Sequence, residues 1–248
     1  AVLVGGDPGI SKSTLMLQAA DRLAATVPVL YVGAEESLAQ VARRARRLGA
    51  SAAELRLLAE TELGRVVVAA ERAAPRVLLV DSVQAVRDGS LAAAAGSVAQ
   101  VRRVADVLVD ASRRCGWATW MVGHVTKDGS LAGPKALEHV VDVVLGFEGD
   151  DRSGHRVVRC AKNRFGAVDE VGVFEMTGAG LADARDASAL LLSSRARGAA
   201  GSAIAAVREG RRSLLVEAQA LTAGTSLAAP RRSVVGVDAG RVQLICAV

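Results

Sequence analysis

Residues Gly6-Asp7-Pro8-Gly9-Ile10-Ser11-Lys12-Ser13-Thr14 follow an apolar run and nearly spell the phosphate-cradling pattern G-x-x-x-x-G-K-[ST], with Ser11 where the second glycine belongs. The chemistry such a segment performs is electrostatic. The loop Gly6-Asp7-Pro8-Gly9-Ile10, through the backbone N–H groups that all but Pro8 carry, and the N-terminus of the next helix cradle phosphates, Lys12 reaches the β and γ oxygens, Ser13 holds Mg²⁺, and Thr14 packs or caps behind. A glycine before the lysine admits close phosphate approach and dihedrals that serine resists, so the Cβ and hydroxyl of Ser11 should crowd the β-phosphate. The expected result is weakened nucleotide binding or a misplaced γ-phosphate. Two acidic sites support the loop. Asp81 ends the apolar run Val77–Val80, where a carboxylate orients Mg²⁺ through water, although a strand-terminal Asp also serves as a cap. Glu35 and Glu36 come after Tyr31-Val32-Gly33-Ala34 on the same sheet edge, where one of them polarises an attacking water, while Glu36 and Ser37 equally favour a helix N-terminus.

These groups need a scaffold that brings strand ends together. Short apolar runs at Ala1–Val4, Val29–Val32, Val77–Val80, Ala118–Val122 and Val140–Leu145 alternate with helical patterns, which predicts an α/β fold with a mainly parallel sheet flanked by helices. Val98, Val101, Val104 and Leu108 recur at helical spacing, and Gly116 is placed to stop that helix. His155–Lys162 and Glu170–Met176 read as strands of an antiparallel edge, with turns at Gly149–Gly154 and Thr177–Leu181. Ser202–Val207 and Ser213–Leu221 read as a hairpin, Val242–Val248 as a final strand, and the small-residue stretch Leu91–Gly96 as a mobile loop.

The chain has 248 residues, 51% of them hydrophobic, which is enough for one large or two modest domains and excludes disorder. Only 2% are aromatic, so the core must be aliphatic. A net charge of +5 fits an anionic partner without requiring one. Cys115, Cys160 and Cys246 lie far apart with no C-x-x-C pair, so neither a disulfide scaffold nor a cysteine zinc site is expected, and a cytoplasmic compartment fits best. No apolar run reaches the roughly 18 residues of a membrane span, and no membrane partner is expected. The chain starts without Met directly on an apolar strand, which reads as a fragment.

The segments "GDPGISKSTL", "YVGAEESLAQVARRARRLG", "GSVAQVR", "MVGHVTKDGSLAGPKALEHVVD", "KNRFGAVDEVGVFEMTGAGL" and "RRSLLVEAQAL" together closely resemble the bacterial RadA/Sms DNA-repair ATPases. The most specific of them is Lys162-Asn163-Arg164-Phe165-Gly166. The resemblance implies a RecA-like P-loop core over residues 1–183 and the start of a Lon-protease-like α+β domain over 184–248. It also implies ATP and Mg²⁺ as cofactors, DNA and a recombinase filament as partners, a hexameric ring, and action on recombination intermediates by branch migration or translocation. By the same resemblance Glu35 takes the water-activating position, and His124 senses the γ-phosphate and couples it to a DNA-binding loop; alone, a strand-end His reads as a structural hydrogen bond. Lys162 and Arg164 reach the γ-phosphate of a neighbouring subunit as cationic fingers. Lys127 and Lys135, after His124, meet DNA phosphates. Arg43, Arg44, Arg46 and Arg47 read first as a solvated basic helix face and second as a DNA contact.

Two other readings compete. A nucleotide-binding or ring-interaction module with little turnover is the consequence of Ser11, and an ATPase acting on protein partners would be favoured by indifference to DNA.

Overall fold

The computed structural model describes residues 1–124, 137–149, 154–193, 195, 198–224, 226 and 231–246. Eleven strands and six helices are defined among them. The parallel half contains β1 (Val2–Gly6), α1 (Lys12–Ala24), β2 (Val29–Gly33), α2 (Leu38–Arg47), β3 (Leu55–Ala59), α3 (Leu63–Ala73), β4 (Val77–Asp81), α4 (Val98–Cys115), β5 (Ala118–His124) and β6 (Val143–Gly149). β7 (His155–Asn163), β8 (Val171–Thr177) and β9 (Gly180–Asp183) extend it antiparallel, giving one nine-stranded sheet in the order β3-β2-β4-β5-β1-β6-β7-β8-β9. The pairings β2–β3, β2–β4, β4–β5, β1–β5 and β1–β6 are all parallel.

Alternate residues of the parallel strands feed two cores, as expected where both sheet faces are covered. Leu3, Leu30, Val32, Leu78 and Val80 pack with Leu63, Val66, Val101, Val104 and Leu108 of α3 and α4. Val4, Val29, Tyr31, Val77 and Leu79 pack on the other face with Met16, Leu17 and Ala20 of α1 and Val41 of α2. Ser37 and Ser97 cap α2 and α4 by accepting the N–H groups of Gln40 and Gln100, and Gly116 closes α4 in the left-handed region. Between β6 and β7 the register slips by one residue: Leu145 pairs with Cys160 and Val144 with Lys162, so Ala161 is the extra residue of a β-bulge.

Several expectations are corrected. β3 is a strand that the apolar pattern did not show, because Arg56 interrupts it and it lies at the half-exposed sheet edge. β9 occupies residues expected to be a turn; the turn is confined to Gly178-Ala179, and the buried Leu181 anchors the strand. β6 begins at Val143 rather than Val140, since the N–H groups of Val140 and Val141 turn back to the Leu137 carbonyl. The stretch 91–96 is a loop anchored near its start, where the buried Gln100 amide donates to the carbonyls of Asp88, Leu91 and Ala93 at 3.0–3.1 Å. The turn expected between Gly149 and Gly154 lies, apart from its two glycines, outside the described residues.

Beyond β9 come α5 (Ala187–Leu191), the hairpin β10 (Ser202–Glu209) and β11 (Arg212–Gln219), which forms a separate two-stranded sheet, and α6 (Ala239–Cys246). The hairpin turn sits on Asp169, whose backbone carbonyl accepts the Arg211 N–H at 3.0 Å. The expected final strand is helix through Cys246. Asp238 caps it by accepting the Arg241 N–H at 2.8 Å, and it pairs with no described strand. Among the described residues, no helix is long and apolar enough to cross a membrane.

Candidate functional site

The C-terminal ends of β1, β2, β4 and β5 lie side by side, with Gly6 opposite His124 and Gly33 opposite Asp81. The residues that leave each strand therefore gather at one edge, the place where open α/β sheets bind ligands. There a cleft of about 330 Å³ is lined by Gly9, Ser11, Lys12, Ser13 and Thr14 from the loop and α1, by Gly33, Glu35 and Glu36 after β2, by Arg44 and Arg47 of α2, and by Asp81 and His124.

The loop turns tightly around β1. A side chain at Gly6 would place its Cβ 2.2 Å from the Phe147 carbonyl oxygen of β6, so only glycine lets the two backbones lie this close. Gly9 at φ 82° and Ser11 at φ 78°, ψ 31° are both left-handed. Ser11 thus adopts the conformation expected of the glycine it replaces. Its carbonyl accepts the N–H groups of Thr14 and Leu15 at 3.1 Å, which opens α1 directly from the loop.

Lys12 is 3% exposed and donates to the carbonyls of Gly6 at 2.8 Å and Asp7 at 2.6 Å. Burial lowers its pKa to about 8, opposed by the charges of Asp81, Glu35 and Asp7. A buried ammonium resting on neutral carbonyls, with its affinity for the proton depressed, is suited to accept an anionic ligand. Asp81, also buried, accepts a 2.5 Å hydrogen bond at Oδ2 from the Tyr31 hydroxyl, whose own pKa is raised by burial and then by the Asp81 charge. Tyr31 fixes the carboxylate's direction from inside the core. Glu35 Oε1 accepts from the Ser82 hydroxyl and lies 3.0 Å from His124 Nε2. The His124 bond, ahead of the Ser82 bond and the nearby charges, holds Glu35 down to about 2 against the opposing effect of burial. Gln84 Nε2 in turn donates to the His124 carbonyl at 3.4 Å.

Of the residues expected from the sequence, the cleft brings together Gly9, Ser11, Lys12, Ser13, Thr14, Glu35, Asp81 and His124. Gly6 and Asp7 serve it through their carbonyls, Ile10 is buried beneath the loop, and Pro8 is exposed outside the lining. Lys162 and Arg164 are elsewhere. β7 runs antiparallel to β6, so Lys162 pairs with Val144 near the start of β6, at the opposite edge of the sheet. There the Lys162 ammonium donates to the carbonyls of Glu138 and, at 2.7 Å, Val141, and Arg164 pairs with Asp142 at 3.0 Å. Lys127 and Lys135 lie outside the described residues.

The basic face of α2 is corrected in part: Arg44 and Arg47 line the cleft, and Arg44 pairs with Glu36. Their i, i+3 spacing on the helix that Ser37 caps was the available signal. Arg156 of β7 was missed altogether. It is 4% exposed, and its Nε donates to the Ile10 carbonyl of the loop at 3.0 Å. Nothing in its local sequence distinguishes it from the neighbouring Arg159.

Known proteins resemble this chain at two levels. The AAA domain family matches residues 1–130. The DNA repair protein RadA of Pseudomonas aeruginosa is 47% identical over 247 residues, and those of Escherichia coli and Bacillus subtilis are 46% and 45% identical over 248; each match covers the whole of this chain and 54% of the relative. The chain thus spans about half the length of the curated relatives it matches. Among solved structures, one ATPase domain aligns with a TM-score of 0.62 at 11% identity, covering 74% of this chain and 84% of that one. The RadB recombinase aligns with a TM-score of 0.55 at 20% identity, covering 74% and 90%. The fold is that of RecA-like ATPase cores.

Proposed function

This chain belongs to the AAA-domain family and, along its whole length, to the bacterial RadA group, and on that premise we propose that it is the ATP-hydrolysing core of a DNA repair and recombination motor. The observation that carries the reading is the convergence of Lys12, Ser13, Glu35, Asp81 and His124 on one cleft. Lys12 exchanges its two carbonyl partners for β and γ oxygens of ATP, and the loop N–H groups and the α1 N-terminus take the remaining phosphate charge. Ser13 and Asp81 are the residues that would hold Mg²⁺, which when bound neutralises developing charge on the phosphates. Glu35, kept ionised, accepts a proton from the water that attacks the γ-phosphorus, while ADP departs with the electron pair of the broken P–O bond. His124 touches Glu35 directly, so contact between His124 and a γ-phosphate would free that carboxylate for the water.

Lys162 and Arg164 complete the site of a neighbouring subunit in a ring. Their position at the far edge, beside a Phe165 that is 79% exposed, supports presentation to another copy rather than to their own cleft. DNA binds through the segment after His124, with Lys127 and Lys135 on its phosphates, and the engaged structures are recombination intermediates bound to a recombinase filament. Residues 1–183 are the RecA-like domain, and residues 184–248 begin the Lon-like one.

Steady-state ATP hydrolysis with and without single-stranded DNA, for this protein and for Lys12→Ala, tests the motor. DNA-stimulated turnover that Lys12→Ala abolishes supports it, and turnover indifferent to DNA sinks the DNA-linked part. The left-handed Ser11 favours a second reading, a site that binds nucleotide with little turnover. Ser11→Gly decides between them: turnover gained only in the glycine variant supports the second reading, and equal turnover rejects it.

A further inference from the structure

We propose that Arg156 is the positioning residue that holds the phosphate loop in shape around Ser11. The inference rests on the nucleotide reading of the loop. A left-handed conformation is disfavoured for serine because its Cβ crowds the backbone. Asn and Asp relieve that cost with their own side chains, but the Ser11 side chain makes no capping bond. The restraint therefore has to come from the peptides on either side.

Both are held. The peptide after Ser11 is fixed by the first turn of α1, through the Ser11 carbonyl and the N–H groups of Thr14 and Leu15. The peptide before it, Ile10–Ser11, presents its carbonyl to Arg156 Nε at 3.0 Å. Rotation about the Ser11 N–Cα bond would swing that carbonyl away from the guanidinium, so this charge-assisted bond opposes relaxation of the dihedral at Ser11. Arg156 is itself closely confined. It is 4% exposed, its Nη1 donates to the His155 carbonyl at 2.8 Å, and it packs where a side chain on Gly149 would stand 2.4 Å from its Cδ. A buried arginine in the antiparallel extension thus supports a serine that the loop geometry disfavours.

The test is a cycle of four proteins: the wild type, Arg156→Met, Ser11→Gly and the double variant. Each is measured by titration with a fluorescent ADP analogue and by thermal unfolding without nucleotide. With Ser11 present, Arg156→Met should weaken ADP binding about tenfold, the worth of one charge-assisted hydrogen bond. In the Ser11→Gly background the same substitution should cost about threefold or less, because glycine keeps the conformation unaided. The drop in melting temperature should shrink in the same sense. Equal losses in both backgrounds, or none in either, overturn the proposal. Should no protein of the set bind ADP, the nucleotide reading fails, and the unfolding cycle alone still decides whether Arg156 and Ser11 are coupled. If Arg156→Met does not fold, Arg156→Lys, which keeps the charge but loses the planar fork, completes the cycle with the same criterion.

Discussion

The two edges of the parallel sheet hold comparable cations in opposite circumstances. At the edge where β1 ends, Lys12 is buried on two backbone carbonyls within reach of three carboxylates, and its pKa is depressed. At the other edge, roughly four strand residues or about 13 Å away along β1, Lys162 also rests on two carbonyls, but there Arg164 is ion-paired and the adjacent Phe165 lies open to solvent. The first edge is a built cleft, and the second is a surface with prepared charges. The proposed division of the site between copies of one chain would require this asymmetry.

The comparison breaks most visibly at Lys162. Lys162→Met is expected to lower turnover about a thousandfold in the assembled protein while leaving ADP affinity within about twofold, as for a cationic finger supplied in trans. Lys12→Ala should lose both binding and turnover, and mixing the two variants should restore part of the activity. If Lys162→Met weakens binding as Lys12→Ala does, the edges are not separate in function. Glu35→Gln comes next: hydrolysis should fall about a hundredfold to a thousandfold, with bound nucleotide retained, in a single-turnover measurement.

The pH dependence of binding sharpens the comparison at Lys12. Its pKa of about 8 in the free protein rises when phosphates stabilise the charge, so above pH 8 binding takes up a proton. ADP affinity should fall by up to about tenfold per unit as pH increases through that range, and isothermal titration in buffers of different ionisation enthalpy reads the proton directly. The same linkage acts on folding with the opposite dependence. Between pH 8 and the ordinary lysine value the unfolded chain holds the extra proton, so the Lys12 contribution to stability rises with pH in that window. The smallest effect is expected at an exposed ion pair of the β7–β8 connection, outside the cleft. Arg211→Ala removes an exposed pair with Asp169 and should cost at most about 1 kcal/mol in urea unfolding, with ADP affinity unchanged.

Asp81 and Glu35 were legible in sequence because parallel strands end in register, so an apolar run with a polar group at or just past its end predicts a position as well as an element, whereas His124 read alone as a structural hydrogen bond and took its site role from the resemblance. The loop was legible for the same reason. Arg156 was not, since its contact with Ile10 joins residues that are distant in sequence through an antiparallel pairing that no local pattern predicts. Arg44 and Arg47 were visible as charges, but only the placement of α2 against the sheet distinguishes a cleft wall from a solvated face. The strands β3 and β9 were lost for a related reason: edge strands bury little, and weak burial leaves a weak pattern. The terminal helix shows the converse, where an apolar run that joins no sheet takes up the local hydrogen bonds that Asp238 offers.

The unpaired Ala161 in β7 has an arithmetic consequence. Side chains along a strand alternate between faces, so Arg156 and Lys162, an even number of positions apart, would share one face of an unbroken strand. Arg156, Val158 and Cys160 are instead matched with Gly149, Phe147 and Leu145, on the α1 side, whereas Lys162 is matched with Val144, which belongs to the α3 and α4 core. A single inserted residue is thus a half-period phase shift, and it lets one strand address the phosphate loop from one side of the sheet and the Val141 carbonyl ahead of β6 from the other.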